Sequence, residues 1–284
     1  MLWAFLSIIS GLGDAVIFAL MKKLKQVNRS IVVWVQYAFA LPFLLILLYF
    51  NYPGKINADV YWNAALNAIL LLFSTYLLVK ATQMSKLSIT MPMLSFTPLF
   101  LLFTSYLMLN EIPTQLGFIG VFLIVLGAYI IHIEDYKKGF FSPFKALVKD
   151  KGSFYVLIVA FIWSITANLF KLGMLGSNPI FFSVAVYLAV SIIMLPIVLT
   201  RQNIDSIKSH FNMLFFLGLA SAFMIATASY AIISAIVPYV ISLKRSSILF
   251  AIFFGYFFFK EKNIRHALIG TIIMLFGGVL ITLF

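Results

Sequence analysis

The chain is written in long apolar runs separated by short polar punctuation, with no sustained alternation of apolar and polar positions. Charge clusters, Asn/Gly/Pro turns and helix starts divide it into ten stretches: residues 2–21, 31–50, 60–82, 87–109, 114–133, 153–173, 179–200, 211–234, 237–259 and 264–283. Each approaches the roughly 20 residues that carry an α-helix through about 30 Å of hydrocarbon. In lipid every backbone polar group must be paired internally, and a barrel would need polar residues at alternate positions, which these Leu/Ile/Phe runs lack. The pattern predicts an all-α polytopic membrane protein with ten transmembrane helices.

The ten stretches fall into two halves. Asn110-Glu111 followed by Gly120 and Gly127 recurs as Lys260-Glu261 followed by Gly270 and Gly277, 150 residues later. Earlier in each half an offset of 154 matches Asp14 to Asn168, Pro42 to Pro196 and Tyr76 to Tyr230. Five spans is an odd number, so the second half enters the membrane upside down relative to the first. The expected organisation is two inverted five-helix repeats, residues 1–133 (spans 1 to 5) and 153–284 (spans 6 to 10), joined by a cytoplasmic linker over 134–152. That is the plan of secondary transporters, whose substrate site lies near the midplane between the repeats.

Composition narrows the function classes. Of 284 residues 63% are hydrophobic and 10% charged, against roughly a quarter charged in soluble domains, so a bilayer is the expected solvent. The net charge of +12 sits in short loops between apolar runs, where it reads as a topology signal and not as a nucleic-acid surface. Sixteen of the 20 Lys and Arg follow odd-numbered spans, which places those loops on the cytoplasmic side of a plasma (inner) membrane and both termini outside. The first run carries Asp14, lacks a positive leader and is followed by lysines, so it reads as a span and not as a cleaved signal peptide. The chain has no cysteine, and His132, His210 and His266 sit apart at span ends. Neither a metal site nor a cofactor is expected. No phosphate-binding Gly-rich loop or nucleophile elbow is present, which argues against an enzyme and against transport driven by ATP hydrolysis.

The fourth span reads Leu94-Ser95-Phe96-Thr97-Pro98-Leu99-Phe100, ends at Glu111 and is followed by a Gly-spaced fifth span. The ninth reads Lys244-Arg245-Ser246-Ser247-Ile248-Leu249-Phe250 and runs to Lys260-Glu261. This pattern resembles the EamA branch of the drug/metabolite transporter (DMT) superfamily over the full chain. The resemblance implies a ten-helix, two-repeat carrier with a central cavity, whose relatives move amino acids, metabolites or drugs. It also implies cytoplasmic termini, opposite to the loop-charge count.

Lys244 and Arg245 carry the strongest functional signal. A charged side chain at a helix centre costs roughly 2.5–3.5 kcal/mol on the permissive insertion scale, so two adjacent ones need partners, water or substrate. One reading is snorkelling or pairing with an acid. The other is an anion clamp, with Arg offering a fork to carboxylate or phosphate and Lys a mobile point charge. Neighbours on a helix differ by about 100°, so both can border one cavity without pointing the same way. The pair is similar to that of plastid phosphate-sugar translocators, where it holds phosphate, but this chain has no lysine inside its fourth span.

Asp14, the acid deep within a span, is read as counter-ion, proton-coupling group or packing residue. Asn168, through its match to Asp14, is expected to face the cavity. Trp163 is expected either to stack on substrate or to pack, and Tyr76 and Tyr230 complete the expected substrate-binding set. Thr166 lies on the same span as Trp163, and Gln36, Tyr37, Asn67, Thr75, Thr227 and Ser229 are further polar candidates that read mainly as interhelical hydrogen-bonding groups. Glu111 and Glu261 read as caps of the helices that follow them. The glycines of the fifth and tenth spans read as close-packing positions, within one chain or across a dimer.

Together these readings describe a secondary active transporter of a small, anionic organic metabolite, working by alternating access around a central cavity. Its expected partners are that solute and the lipid bilayer, with proton coupling through Asp14 left open and either a monomer or a homodimer allowed. The alternative is a channel-like or enzymatic membrane protein using the same polar site. Leu94 and Ser95 occupy the repeat positions of Lys244 and Arg245, and such one-sided charge favours a solute site over a pore.

Overall fold

The computed structural model describes residues 1–52, 54–131 and 150–261, together with 269, 270, 272, 273, 276, 277 and 280. Most of the expected linker and tenth span, with His132, His266 and Gly278, lies outside the described residues. Among the described residues all regular structure is helical.

The first span is α1 (Leu2–Lys23), and the second is split into α2 (Arg29–Ala38) and α3 (Leu41–Phe50). Pro42 explains the split, because it cannot donate to the carbonyl four residues back and its ring crowds that carbonyl. The third span is α4 (Asp59–Met84). The fourth is α5 (Leu87–Thr90), a 3-10 turn (Met91–Ser95) and α6 (Phe96–Leu109), and the fifth is α7 (Gln115–Ile131). In the second half, α8 (Lys151–Leu175) and α9 (Pro179–Val198) are followed by α10 (Arg201–Ser209), α11 (Phe211–Ser234), α12 (Val237–Lys244) and α13 (Ser247–Phe259). The apolar pattern does not announce α10, since it is a short, polar surface helix. Thr200 starts it by accepting a hydrogen bond from the Asn203 N–H at 3.3 Å.

Among the described residues seven helices are long and apolar enough to cross a membrane, counting α2 with α3 and α12 with α13. Shorter apolar helices, Met93–Leu109 and Gln115–Gly127, occupy the fourth and fifth positions. The fourth is shortened because its helix is broken in the middle, where Pro98 leaves the Leu94 carbonyl without its usual donor.

The ninth span breaks at the corresponding place without a proline. The Arg245 N–H is shared between the carbonyls of Ile241 at 3.1 Å and Ser242 at 3.2 Å, and the Ser246 N–H takes that of Leu243 at 2.9 Å. The last turn of α12 is thereby tightened toward 3-10 geometry. This break is where Lys244 and Arg245 sit.

The halves interlock: α1 packs along α11 and α4 along α8, so each half's first span lies against the other half's third, while α2 meets α9. Gly11 lets α1 reach the ninth-span break, since a Cβ there would lie 2.7 Å from the Lys244 carbonyl oxygen. Gly277 shows how the fifth and tenth spans use one of these glycines. A Cβ on it would stand 2.5 Å from the Gly120 carbonyl oxygen and 3.0 Å from Ile124, so this contact is made within one chain. Gly277→Leu is therefore expected to lower thermal stability by about 1–3 kcal/mol through overpacking, with no change in the particle size measured by light scattering. A changed oligomeric state at unchanged stability would return that glycine to a dimer seam.

Candidate functional site

Helices α1, α2, α4, α8, α9, α11 and α12 converge on a cavity of about 740 Å³, its mouth included. Among the described residues three charged side chains line it: Asp14 from α1, and Lys244 and Arg245 from the ninth-span break. The Lys244 ammonium lies 3.1 Å from an Asp14 carboxylate oxygen and 3.3 Å from the Met224 sulfur. Arg245 turns instead toward α8, where its guanidinium carbon stands 5.5 Å from the centre of the Trp163 ring. The two basic residues thus reach opposite halves of the chain, as their 100° separation allows.

Arg245 is only 2% exposed, yet its Nε and Nη1 find no hydrogen-bond partner among the described residues. A cation over an indole recovers about 0.5–2 kcal/mol, which falls short of the several kcal/mol lost by desolvating a charge. The guanidinium is under-satisfied.

A polar belt from other helices completes the lining. The Tyr37 hydroxyl (α2) shares a 2.5 Å hydrogen bond with Thr75 (α4), and its ring meets Tyr187 (α9) edge-on at 4.8 Å. Tyr187 in turn pairs with Ser221 on α11 at 3.1 Å. Gln36 lines the cavity with its carbonyl oxygen unpartnered. Ile17, Phe18 and Leu78 close one end and are each 1% exposed. Phe170 and Ile232 flank the other.

Beyond each end of the cavity lies a carboxylate clasp, and the two clasps are built alike. Glu111 pairs with Lys171 at 2.5 Å and accepts the Val237 N–H at 2.7 Å, while Lys171 also donates to the Ala235 carbonyl at 2.6 Å. Glu261 pairs with Lys22 at 2.8 Å and accepts the N–H groups of Leu87 at 3.2 Å and Ser88 at 3.1 Å. Lys22 donates to the Ser85 carbonyl at 3.3 Å. Glutamates, carbonyls and first helical N–H groups all repeat at 150 residues, and the lysines at 149 (171−22).

The turn that presents each glutamate is also shared. Asn110 and Lys260 adopt left-handed φ values of 54° and 52°. The next N–H then returns six residues, from Glu111 to Ser105 and from Glu261 to Gly255, so the left-handed residue folds the chain back over the last turn of its helix. Each glutamate binds the start of a span in the opposite half; both carboxylate oxygens of Glu111 are used there and do not cap the helix that follows it, contrary to what the sequence suggested, while the residues that Glu261 was expected to cap lie outside the described residues.

Burial pushes the Glu261 carboxyl up, but the bonds from Lys22 and Ser88 and the lysine charge outweigh it and hold its pKa below the ordinary carboxylate value. A depressed pKa contributes stability above that ordinary value and loses it as pH falls through the depressed one. Lowering the pH from 7 to about 5 is accordingly expected to leave the Glu261 clasp intact. In thermal melts of wild type and Glu261→Gln, their difference should be constant over that range and shrink only at lower pH.

Of the residues expected at the site, Lys244, Arg245, Asp14 and Trp163 meet around the cavity, whereas Asn168, Tyr76 and Tyr230 do not line it. The Asn168 amide donates to Thr104 at 3.1 Å and to the Ser164 carbonyl at 3.0 Å, and accepts from Ser105 at 2.7 Å, which fastens α8 to α6. The clasps give the physical reason. They align Lys22 with Lys171, and α1 and α8 run unbroken from there, so the counterpart of Asp14 is Trp163, also 149 residues on (163−14). Asn168 lies five residues further and some 140° around the helix, on another face.

Tyr76 and Tyr230 are each 37% exposed, and Tyr230 donates to the Asn51 side chain at 3.2 Å. Gln36, Tyr37 and Thr75, read mainly as interhelical hydrogen-bonding groups, line the cavity, as does Thr166. Tyr187 was not singled out, because a lone tyrosine in an apolar span gives no signal until its neighbours are placed.

The sequence model of the EamA-like transporter family matches residues 1–133 and 150–283. Twenty-seven chains of known structure are similar. One crystal structure matches with a TM-score of 0.72 at 12% identity, covering 99% of this chain and 95% of that chain, a likeness of fold. No curated protein matches. One family match falls on each half of an all-helical, multi-pass chain whose helices enclose a charged cavity. The chain belongs to the EamA-like transporter family and is a membrane transporter of the DMT type.

Proposed function

We propose that this protein is a secondary active transporter of small organic anions, working by alternating access in the plasma membrane, with ten spans arranged as two inverted repeats. The observation that carries the reading is Arg245, a guanidinium buried in the cavity whose Nε and Nη1 have no hydrogen-bond partner among the described residues. A carboxylate supplies what those donors lack, and charge-assisted pairing of this kind is worth about twice a neutral hydrogen bond. A pore fits less well, since Ile17, Phe18 and Leu78 close the cavity at one end. The charge excess after odd-numbered spans supports termini outside.

The two clasps supply the means of alternation. Each ties the start of a broken span, the fourth or the ninth, to the opposite half, so opening one end requires releasing one clasp while the other holds. This cycle agrees with inverted repeats rocking around a fixed central site.

The test is a thermal-shift screen of the purified protein against monocarboxylates, amino acids, phosphate esters, amines and sugars, followed by uptake of the hits into liposomes. Anions should stabilise the wild type and lose their effect on Arg245→Gln. Stabilisation by amines or sugars alone, or uptake unaffected by Arg245→Gln, would overturn the anion reading.

A further inference from the structure

One cation is enough to hold a carboxylate, yet the cavity contains three charged groups. The arrangement of Asp14 accounts for the other two. Its carboxylate, with the side chain 3% exposed, holds the Lys244 ammonium at 3.1 Å. Lys244 is held on its other side by the Met224 sulfur at 3.3 Å. Arg245 makes no ion pair among the described residues, and the Trp163 ring stands beside it. The remaining helices around the cavity bring Gln36, Tyr37, Thr75, Thr166, Trp163 and Tyr187, all neutral groups at physiological pH. The cavity therefore carries one uncompensated positive charge.

We propose that Asp14 determines the valence of the transported anion: by engaging Lys244 it leaves Arg245 as the one free cation among the described residues of the cavity, so the site takes a singly charged carboxylate and refuses a dianion. The inference rests on the reading that Arg245 binds substrate. In a low-dielectric site a residual charge of either sign is costly. A monoanion brings the cavity to zero, whereas a dianion leaves it at minus one. Aliphatic and aromatic side chains, among them Ile17, Phe18, Leu78, Phe170, Ile232 and Ile241, make up most of the rest of the lining. They fit the apolar body of a monocarboxylate and offer nothing to a second charge.

The probes are pairs matched in body and different in valence at pH 7.5: butyrate against succinate, and phenylacetate against phenyl phosphate. Binding is read by thermal shift and by competition for uptake into liposomes. Wild type should prefer the monoanion of each pair. Asp14→Asn releases Lys244 and should improve dianion binding by about tenfold or more, reversing the preference. Lys244→Gln leaves Asp14 to compete for Arg245 and should weaken monoanion binding by about tenfold. It tests the same charge count without creating a doubly positive cavity, and so serves if Asp14→Asn does not fold.

The two readings fail differently. If Arg245→Gln binds phenylacetate or butyrate as well as wild type does, the anion site itself is wrong. If Arg245→Gln loses binding while Asp14→Asn keeps the monoanion preference, or Lys244→Gln binds monoanions as tightly as wild type, the site stands and valence control by Asp14 does not.

Discussion

Replacing Arg245 with methionine is expected to raise the melting temperature of the ligand-free protein while removing its response to carboxylates. In wild type the guanidinium is buried with Nε and Nη1 unpartnered, a condition that costs about 1–3 kcal/mol per unsatisfied group and more for a charged one. Methionine fills a similar volume, needs no partner, and places a polarizable sulfur near the Trp163 ring. Ligand-free stability should therefore rise by about 1–3 kcal/mol. Loss of a charge-assisted hydrogen bond should weaken carboxylate binding by about 10- to 100-fold.

Opposite signs for stability and binding are the diagnostic feature. A guanidinium held only for structure would lose stability on replacement. Thermal melts of the two proteins with and without butyrate give both numbers, and a variant less stable than wild type would refute the under-satisfied guanidinium.

The membrane-spanning pattern and the basic pair were legible in the sequence because both rest on strong local energies. A 20-residue apolar run has few places to go, and two adjacent charges within such a run demand an explanation. Boundaries for 87–109 and 237–259 agree with the outer limits of the broken fourth and ninth spans. What could not be read was helix phase across the repeat. Matching Asp14 to Asn168 gave a plausible polar pair, but a five-residue shift turns a side chain to another face, and one-dimensional spacing carries no penalty for that error.

Glu111 and Glu261 show a related limit. Their 150-residue repeat was visible, yet their partners, Lys171 with Val237 and Lys22 with Leu87, are distant in sequence and meet only through the interlocking of the halves. Asn110 and Lys260 hid their role for another reason: Lys260 is a poor guess for a left-handed turn, which favours Gly or Asn.

The equivalence of the clasps makes the second large effect directional. Glu111→Gln and Glu261→Gln each leave a half-buried lysine without its counter-charge, which costs about 1–3 kcal/mol and should shift the balance between closed and open at that end by about 5- to 150-fold. The two substitutions act at opposite ends of one cavity, so they should bias it in opposite directions.

Because the natural chain has no cysteine, single cysteines can report this without a background. Ile17→Cys probes the end beside the Lys22–Glu261 clasp, and Ile232→Cys the end beside the Lys171–Glu111 clasp. A membrane-impermeant thiol reagent applied from each side should label Ile17→Cys faster when Glu261→Gln is present, and Ile232→Cys faster when Glu111→Gln is present. Labelling at the opposite end should fall or stay level, since releasing one clasp favours the conformation in which the other is made. If each glutamine variant accelerated labelling at both ends equally, the clasps would be general staples of the fold, and alternation would have to reside in the breaks of the fourth and ninth spans.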